Sequence, residues 1–333
     1  MWIEEYVKLQ FPLNPDDMRI EEAAQLKHKY IPDSLFRYRS FNEYSLANLK
    51  NQQERLSYPS EFNDPFDSGM KINYELVSRE LFLHRNMDNM ISELKKSGVT
   101  VSEQEYKKIR DSEDPFYEFA KHIAQFDEEI QGKEDEFAKA MSKIALEQIK
   151  EMFSSYKVSF QNGYLVMCVS EAKDEVLMWS HYASDHSGFC IEYNFQELGP
   201  SNPQSRLLCP VIYTDGLFDA SHYIMQPFLR KDHSFNNLFG IYPSISKSPK
   251  WAYEKEWRIV HPLGPNASDE QRFIRVPKPK ALYVGVKVKS DDIEKLKEIA
   301  IQKSIPLYQM VASDASHDLE SVLLYDPTEN ILG

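Results

Sequence analysis

Leu35-Phe36-Arg37-Tyr38-Arg39-Ser40 alternates aromatic and cationic side chains within one short run. Successive side chains of a strand point to opposite faces, so Phe36 and Tyr38 share one face and Arg37 and Arg39 the other. The run therefore reads as a strand that buries one side and presents two guanidiniums on the opposite side. Asn42 follows in the position of an N-cap for a helix carrying Tyr44, Leu46 and Leu49. Arg55 to Tyr58 reads as a second short strand, and strand–helix–strand at this spacing points to a mixed architecture.

Further along, Tyr58-Pro59-Ser60-Glu61-Phe62-Asn63-Asp64-Pro65-Phe66-Asp67 is rich in turn residues. Each proline pushes the residue before it into an extended conformation, which predicts an ordered loop rather than a helix. From about Leu76 to Tyr156 charged residues dominate, and apolar ones recur at helical spacing, as in Phe137, Met141 and Ile144. Ser102 with Glu105 has the form of a capping box.

Strand character returns at Gly163 to Ser170 and Gly188 to Asn194, with a helix between them over Glu175 to Ala183. In that helix Leu177, Met178 and Tyr182 are expected to face the core, with Trp179 flanking them. Further strands are expected at Val211 to Thr214, Glu254 to Val260 and Leu282 to Val288. Ser290 or Asp291 would cap a helix through Ala300 before a last strand at Ile305 to Val311, a unit with the form of a parallel crossover. The expected fold class is α+β, a mixed and strongly bent sheet core in one domain over 1–333, with 76–156 as a helical insertion or lid.

Composition narrows the function classes. The chain has 333 residues, 42% hydrophobic, with a net charge of −13, so it can bury a real core but repels nucleic acid and anionic membranes at long range. A local basic groove is required for any nucleic-acid partner. Cys168, Cys190 and Cys209 lie in apolar runs without a C-x-x-C pair, which predicts buried reduced thiols rather than a disulfide framework or zinc knuckle. The acidic N-terminal residues lack the pattern of a secretory signal, and no stretch reaches membrane-spanning length, so a cytoplasmic location is expected.

Four polar clusters can carry chemistry. Read as a strand, Tyr253-Glu254-Lys255-Glu256-Trp257-Arg258-Ile259-Val260 puts Glu254, Glu256 and Arg258 on one face and anchors Trp257 and Ile259 in the core. Such carboxylates can polarise a hydroxyl or stabilise developing positive charge. The same alternation also serves plain sheet pairing, with Arg258 neutralising a neighbouring glutamate. Arg37 and Arg39 are natural bidentate partners for a phosphate or carboxylate, or structural partners of an acid such as Glu256. A third cluster gathers Glu171, Asp174, Trp179, His181, Tyr182, Asp185 and His186, and Gly188 marks a turn or close approach. His181 and His186 lack the spacing of a helical metal motif. In the fourth, Phe62 and Phe66 would pin the loop, leaving Asn63, Asp64 and Asp67 positioned. Lys247 and Lys250 add positive charge near the glutamates.

Through Leu35 to Ser40, Phe62 to Asp67, Met178-Trp179-Ser180-His181-Tyr182-Ala183 with His186 and Gly188-Phe189, and Lys250 to Arg258, the chain resembles a bacterial family catalogued as domain of unknown function 2971. The four motifs span about residues 30 to 312, and the family implies no particular activity. A second resemblance is to the ADP-ribosyltransferase fold, which places Arg or His on an early strand and an E-x-E glutamate on a late one. That resemblance implies NAD as substrate, with Arg37 or Arg39 on its phosphates and Ser57, Tyr58 or Ser170 in the middle position. Glu256 would be the catalytic glutamate, with Glu254 two residues before it.

Three readings follow. The first is an NAD-using transferase or glycohydrolase with Glu256, Glu254 and His181 in catalytic roles. Arg37, Arg39, Tyr58, Asn63, Asp64, Ser170, Trp179 and His186 would then contact a nucleotide-like small molecule. The second is a metal-dependent nuclease or phosphohydrolase built from Asp64, Asp67, Glu171, His181 and His186. The third is a non-catalytic sensor or partner-binding protein of a bacterial defence system, with the clusters as structural networks. The helical insertion offers a surface for a homodimer or a protein partner.

Overall fold

The computed structural model describes residues 1–328. Its centre is an eight-stranded mixed sheet. In chain order the strands are β1 (Leu35–Arg39), β2 (Leu165–Ser170), β3 (Phe189–Tyr193), β4 (Leu208–Pro210), β5 (Glu256–His261), β6 (Ala281–Val284), β7 (Leu307–Ala312) and β8 (Leu319–Tyr325). Across the sheet they run β8-β7-β6-β3-β1-β2-β5-β4. All neighbours pair antiparallel except β6 and β7, joined by the helix Ser290–Lys303 as the parallel crossover that the sequence predicts.

The largest core cluster takes Leu35 from β1, Met167 and Val169 from β2, Ile191 and Tyr193 from β3, and Trp257 and Ile259 from β5. The opposite face of β1 packs Phe36 and Tyr38 with Met178, Trp179 and Cys190. Alternation in β1 is thus as expected, with Arg37 and Arg39 only partly covered. β3 departs from the alternation: all five of its residues are buried, because a central strand is covered on both faces and gives no wet side.

Helices run from Tyr74 to Gln161, continuous through a π turn at Phe82–Asn86 and including the 20-residue helix Glu134–Phe153. They pack around apolar clusters of their own, one of them centred on Phe82, Phe116 and Phe119. The Ser102–Glu105 capping box is formed. Among the described residues no helix is long and apolar enough to cross a membrane.

Several boundaries differ from expectation. The second strand is Gln53–Arg55, paired with Phe273–Arg275, while Ser57 makes only a single bridge to Val166. Pro59–Glu61 forms one 3-10 turn, since Pro at its first position suits a helical start. Ile212–Tyr213 pairs with Ser246–Lys247 in a separate ribbon rather than joining the main sheet. The β6 strand ends at Val284, where Gly285 abuts the backbone of His186. Helix Ser290–Lys303 starts after Lys289 without a side-chain cap. In helix Val176–Tyr182, Trp179 is fully buried while Leu177 is exposed, because the helix meets the sheet through Met178 and Trp179.

The turn after that helix fixes its placement. Ser184, Asp185 and His186 all adopt positive φ, a left-handed run that side chains with a Cβ rarely take. Backbone bonds hold it: the Gly188 amide donates to the Ala183 carbonyl (2.7 Å), and the Lys287 amide to that of His186 (2.9 Å). A Cβ at Gly188 would stand 2.2 Å from the Arg39 carbonyl oxygen. Gly188→Ala is therefore expected to cost at least about 3 kcal/mol in urea unfolding, because backbone rather than a flexible side chain must move. A change below about 0.5 kcal/mol, the range of neutral surface substitutions, would contradict this packing.

Candidate functional site

β1 and β2 share a single register pair, Phe36 with Ser170, and then part. The Cys168 carbonyl accepts instead from Arg37 Nη1 at 2.7 Å, so a side chain replaces a ladder bond. Ser170 pairs in turn with Glu256, which puts Glu256 and Arg258 on the Phe36 face of the sheet and Arg37 and Arg39 on the other. Both sets nevertheless line one cleft of about 470 Å3, because it opens through the gap between the parted strands. Residues from all four sequence clusters meet there.

One wall is basic. Arg39 donates through Nη2 to Glu54, and Arg37 Nε lies 3.7 Å from the same carboxylate. Glu54 is fully buried and also accepts from the Tyr193 hydroxyl at 3.0 Å. Two guanidiniums thus share one carboxylate, and the Nε atoms of both are buried without acceptors. Burial, then Arg37, pushes the Arg39 guanidinium down to about 9. The sequence offered Glu256 as a structural partner for these arginines; the partner is Glu54, which sequence reasoning missed. Its signal was faint: a lone Glu between Gln53 and Arg55 on a three-residue strand.

The other wall is a buried ion network. Arg258 uses all five N–H groups: Nε to Glu256 Oε1 (2.9 Å), Nη1 to Asp67 Oδ1 (2.7 Å) and the Ser244 carbonyl (2.8 Å), and Nη2 to Asp67 Oδ2 (2.6 Å) and Glu256 Oε2 (3.0 Å). Lys247 bridges Glu254 Oε2 (2.5 Å) and Glu256 Oε2 (2.9 Å) and lies over the Trp251 ring. Burial works against ionising Glu256, yet Arg258 and Lys247 outweigh it and hold that carboxyl well below the usual range. Glu254 goes the other way, raised by burial and by Glu256.

Glu254 reaches this wall differently than the strand reading supposed. Pro249–Glu254 is a 3-10 helix, and Lys255 takes a left-handed conformation (φ 44) before the strand starts at Glu256. Glu254 is therefore the last residue of a turn, and its carbonyl accepts from Ser170 Oγ at 2.6 Å. The Tyr182 hydroxyl donates to Glu254 Oε1 at 2.7 Å.

The other candidate residues divide. Asn63, Ser170 and His181 line the cleft; Tyr58, Asp64, Trp179 and His186 do not. Trp179 is fully buried, packs edge-on against Tyr38 and donates to the Lys173 carbonyl, so it supports β1 from behind. Tyr58 donates to the Gly264 carbonyl and carries Arg272 over its ring. Asp64 caps its own loop by accepting from the Phe66 amide, as Asp before Pro commonly does. His186 belongs to the left-handed turn, its imidazole shifted down by burial and by Lys287. Phe66 is exposed, so of the two phenylalanines Phe62 anchors the loop, against the Arg258 guanidinium, beside the Asp67 carboxylate that the same guanidinium holds. Lys250 is exposed, unlike Lys247.

Convergence on a metal, as the second reading requires, is not observed. Asp67 is committed to Arg258, and Glu171 accepts from Trp257 Nε1 at 2.7 Å. Among the described residues no three His, Cys, Asp or Glu side chains gather to hold an ion. The three cysteines are free thiols; Cys190 and Cys209 are buried and Cys168 partly so.

Fold and site together define an α+β protein with a charge-lined cleft through a parted mixed sheet. Residues 178–259 match the model of a family described as Protein of unknown function (DUF2971), which bears out the family resemblance over these residues. The matched segment contains the Met178–Phe189 and Lys250–Arg258 motifs; Leu35–Ser40 and Phe62–Asp67 lie outside it. No curated protein and no solved structure matches the chain.

Proposed function

We propose that the cleft is the active site of an enzyme acting on a nucleotide-like anion, with NAD consumed in a transferase or glycohydrolase reaction. One observation carries this reading: two arginines short of counter-charge face a carboxylate wall across one cleft. Paired guanidiniums suit a diphosphate, which accepts bidentate hydrogen bonds. The opposite wall holds three carboxylates against two cations, an excess suited to positive charge building on a ribose as its glycosidic bond breaks. The cleft volume falls within the range of about 300–1,000 Å3 common to small-molecule sites. The order of groups along the chain, arginines early and the Glu254 and Glu256 pair late, is the order that the resemblance to ADP-ribosyltransferases implies.

The decisive measurement is chromatography of NAD incubated with the purified chain, with and without a chelator. Turnover that chelator leaves unchanged is expected. No loss of NAD in either condition overturns NAD hydrolysis by this protein. The saturated Asp67–Arg258–Glu256 network favours a second reading, a non-catalytic binding protein. It predicts that ADP-ribose binds in calorimetry while NAD stays intact.

A further inference from the structure

We propose that Tyr182 and Glu254 are the proton-transfer pair of this cleft, with Tyr182 meeting the attacking hydroxyl, Glu254 taking up the proton and Glu256 acting only as a positioning residue. The inference rests on reading the cleft as a site of glycosidic transfer.

Hydrogen-bond capacity separates the two glutamates. Both oxygens of Glu256 accept from Arg258, and Oε2 accepts from Lys247 as well. Cations thus fill three of its four acceptor sites, and the Cys168 thiol is a further neighbour of the carboxylate. Glu254 is anchored by Lys247 at Oε2, and its Oε1 meets a single group, the Tyr182 hydroxyl. Glu254 is buried, whereas Tyr182 is partly exposed and lines the cleft. Glu254 also lines the cleft, but its Oε1 is covered by the Tyr182 hydroxyl, which places the phenol where it can pass a proton to that oxygen.

Charge points to the same residue. Asp67, Glu254 and Glu256 stand against Lys247 and Arg258, leaving one negative charge in excess. One added proton restores neutrality. Both oxygens of Asp67 and both of Glu256 are taken by the Arg258 fork, so Glu254 is the carboxylate left to receive it. Other groups facing the pair are the hydroxyls of Tyr213, which accepts from the Glu256 amide, and Tyr253, with Asn63 beside Tyr182. None of these brings a further cation. The upward shift of the Glu254 carboxyl, from burial and Glu256, agrees with this assignment.

The step balances without a further reactant. The oxygen of water or of an acceptor hydroxyl bonds to the ribose C1′ as the C1′–N bond breaks. The bonding pair goes to the pyridinium nitrogen, which departs neutral. The proton of the attacking oxygen passes to the Tyr182 oxygen while the phenol proton moves to Glu254 Oε1, and from there it is lost to solvent.

The test follows the glutamate carboxyl carbons by 13C NMR in the full-length chain, alongside NAD turnover across pH. One carboxyl titrating above the others is expected, absent in Glu254→Gln and shifted further up in Tyr182→Phe, which loses a donor to the charged form. The acid limb of the turnover profile should move up with it, and turnover in Glu254→Gln should fall about 100-fold or more. If the high-titrating signal survives in Glu254→Gln, or Tyr182→Phe leaves it unmoved, the pair is overturned whatever the turnover. If the signals behave as expected but NAD is never consumed, the pair stands and the choice of NAD falls.

Discussion

Arg258→Met is expected to cost about 3–5 kcal/mol of folding stability, the usual consequence of stripping one partner from a buried ion pair. Arg258 is fully buried and engages Asp67, Glu256 and the Ser244 carbonyl through every N–H it owns. Without it two buried carboxylates keep Lys247 as their cation, 2.9 Å from Glu256 and 3.9 Å from Asp67, and Asp67 keeps the Ser68 hydroxyl. Against a total stability of about 5–15 kcal/mol, this loss is a large fraction of what holds the fold. Urea unfolding measures it, and pH supplies a signature. Glu256 is depressed in the folded state, so its contribution is present above the unfolded value of about 4.3 and lost as pH falls through the folded one. The gap between wild type and Arg258→Met should therefore narrow in acid, where the orphaned Glu256 carboxyl becomes neutral. A gap that is small at neutral pH, or constant across pH, contradicts this account.

Arg37→Gln should instead leave the fold nearly intact and lower kcat/KM for NAD by about 100-fold, near 2.8 kcal/mol of lost binding to the reacting complex. Of the two arginines, Arg37 is the freer: it lies 3.7 Å from Glu54, while Arg39 bonds that carboxylate directly. Removing Arg37 costs the protein one bond to the Cys168 carbonyl, about 1 kcal/mol, whereas removing Arg39 strips the buried Glu54 of its main cation. Arg39→Gln is accordingly expected to show a stability loss that Arg37→Gln does not. Comparing the two by calorimetry with ADP-ribose and by urea unfolding separates ligand binding from folding. Equal affinity for Arg37→Gln and wild type removes this wall from recognition.

The alternation in Leu35–Arg39, the capped helix after it, the acidic helical stretch and the terminal crossover were readable because each is set by local periodicity. The meeting of four distant clusters was readable only as a condition, since long-range pairing decides it. Three features lay beyond local pattern. Glu254 looked like a strand residue because its alternation with Glu256 is perfect, but the left-handed Lys255 breaks the strand between them. Glu54 gave no pattern, although it neutralises part of the arginine wall. His186 sat in a dense polar run that serves a backbone turn, not the cleft. For Glu254 and His186 residue type advertised chemistry and backbone conformation reassigned it.

The parted strands also bear on the order in which the chain assembles. The basic wall is encoded by residues 37–39 and its facing carboxylates by 254–256, so the cleft exists only after contacts of very high sequence separation have closed. Closing a loop costs chain entropy that grows with its length, and sheets built from distant strands reach their native pairing slowly. The helices from Tyr74 to Gln161 stand between β1 and β2; one of their cores is their own, and the other is shared with Met70 and residues 218–239. Folding of these helices ahead of the sheet is expected to shorten the effective loop and bring the two strands within reach. The helical layer thus acts as a splint for a site to which it contributes none of the lining side chains.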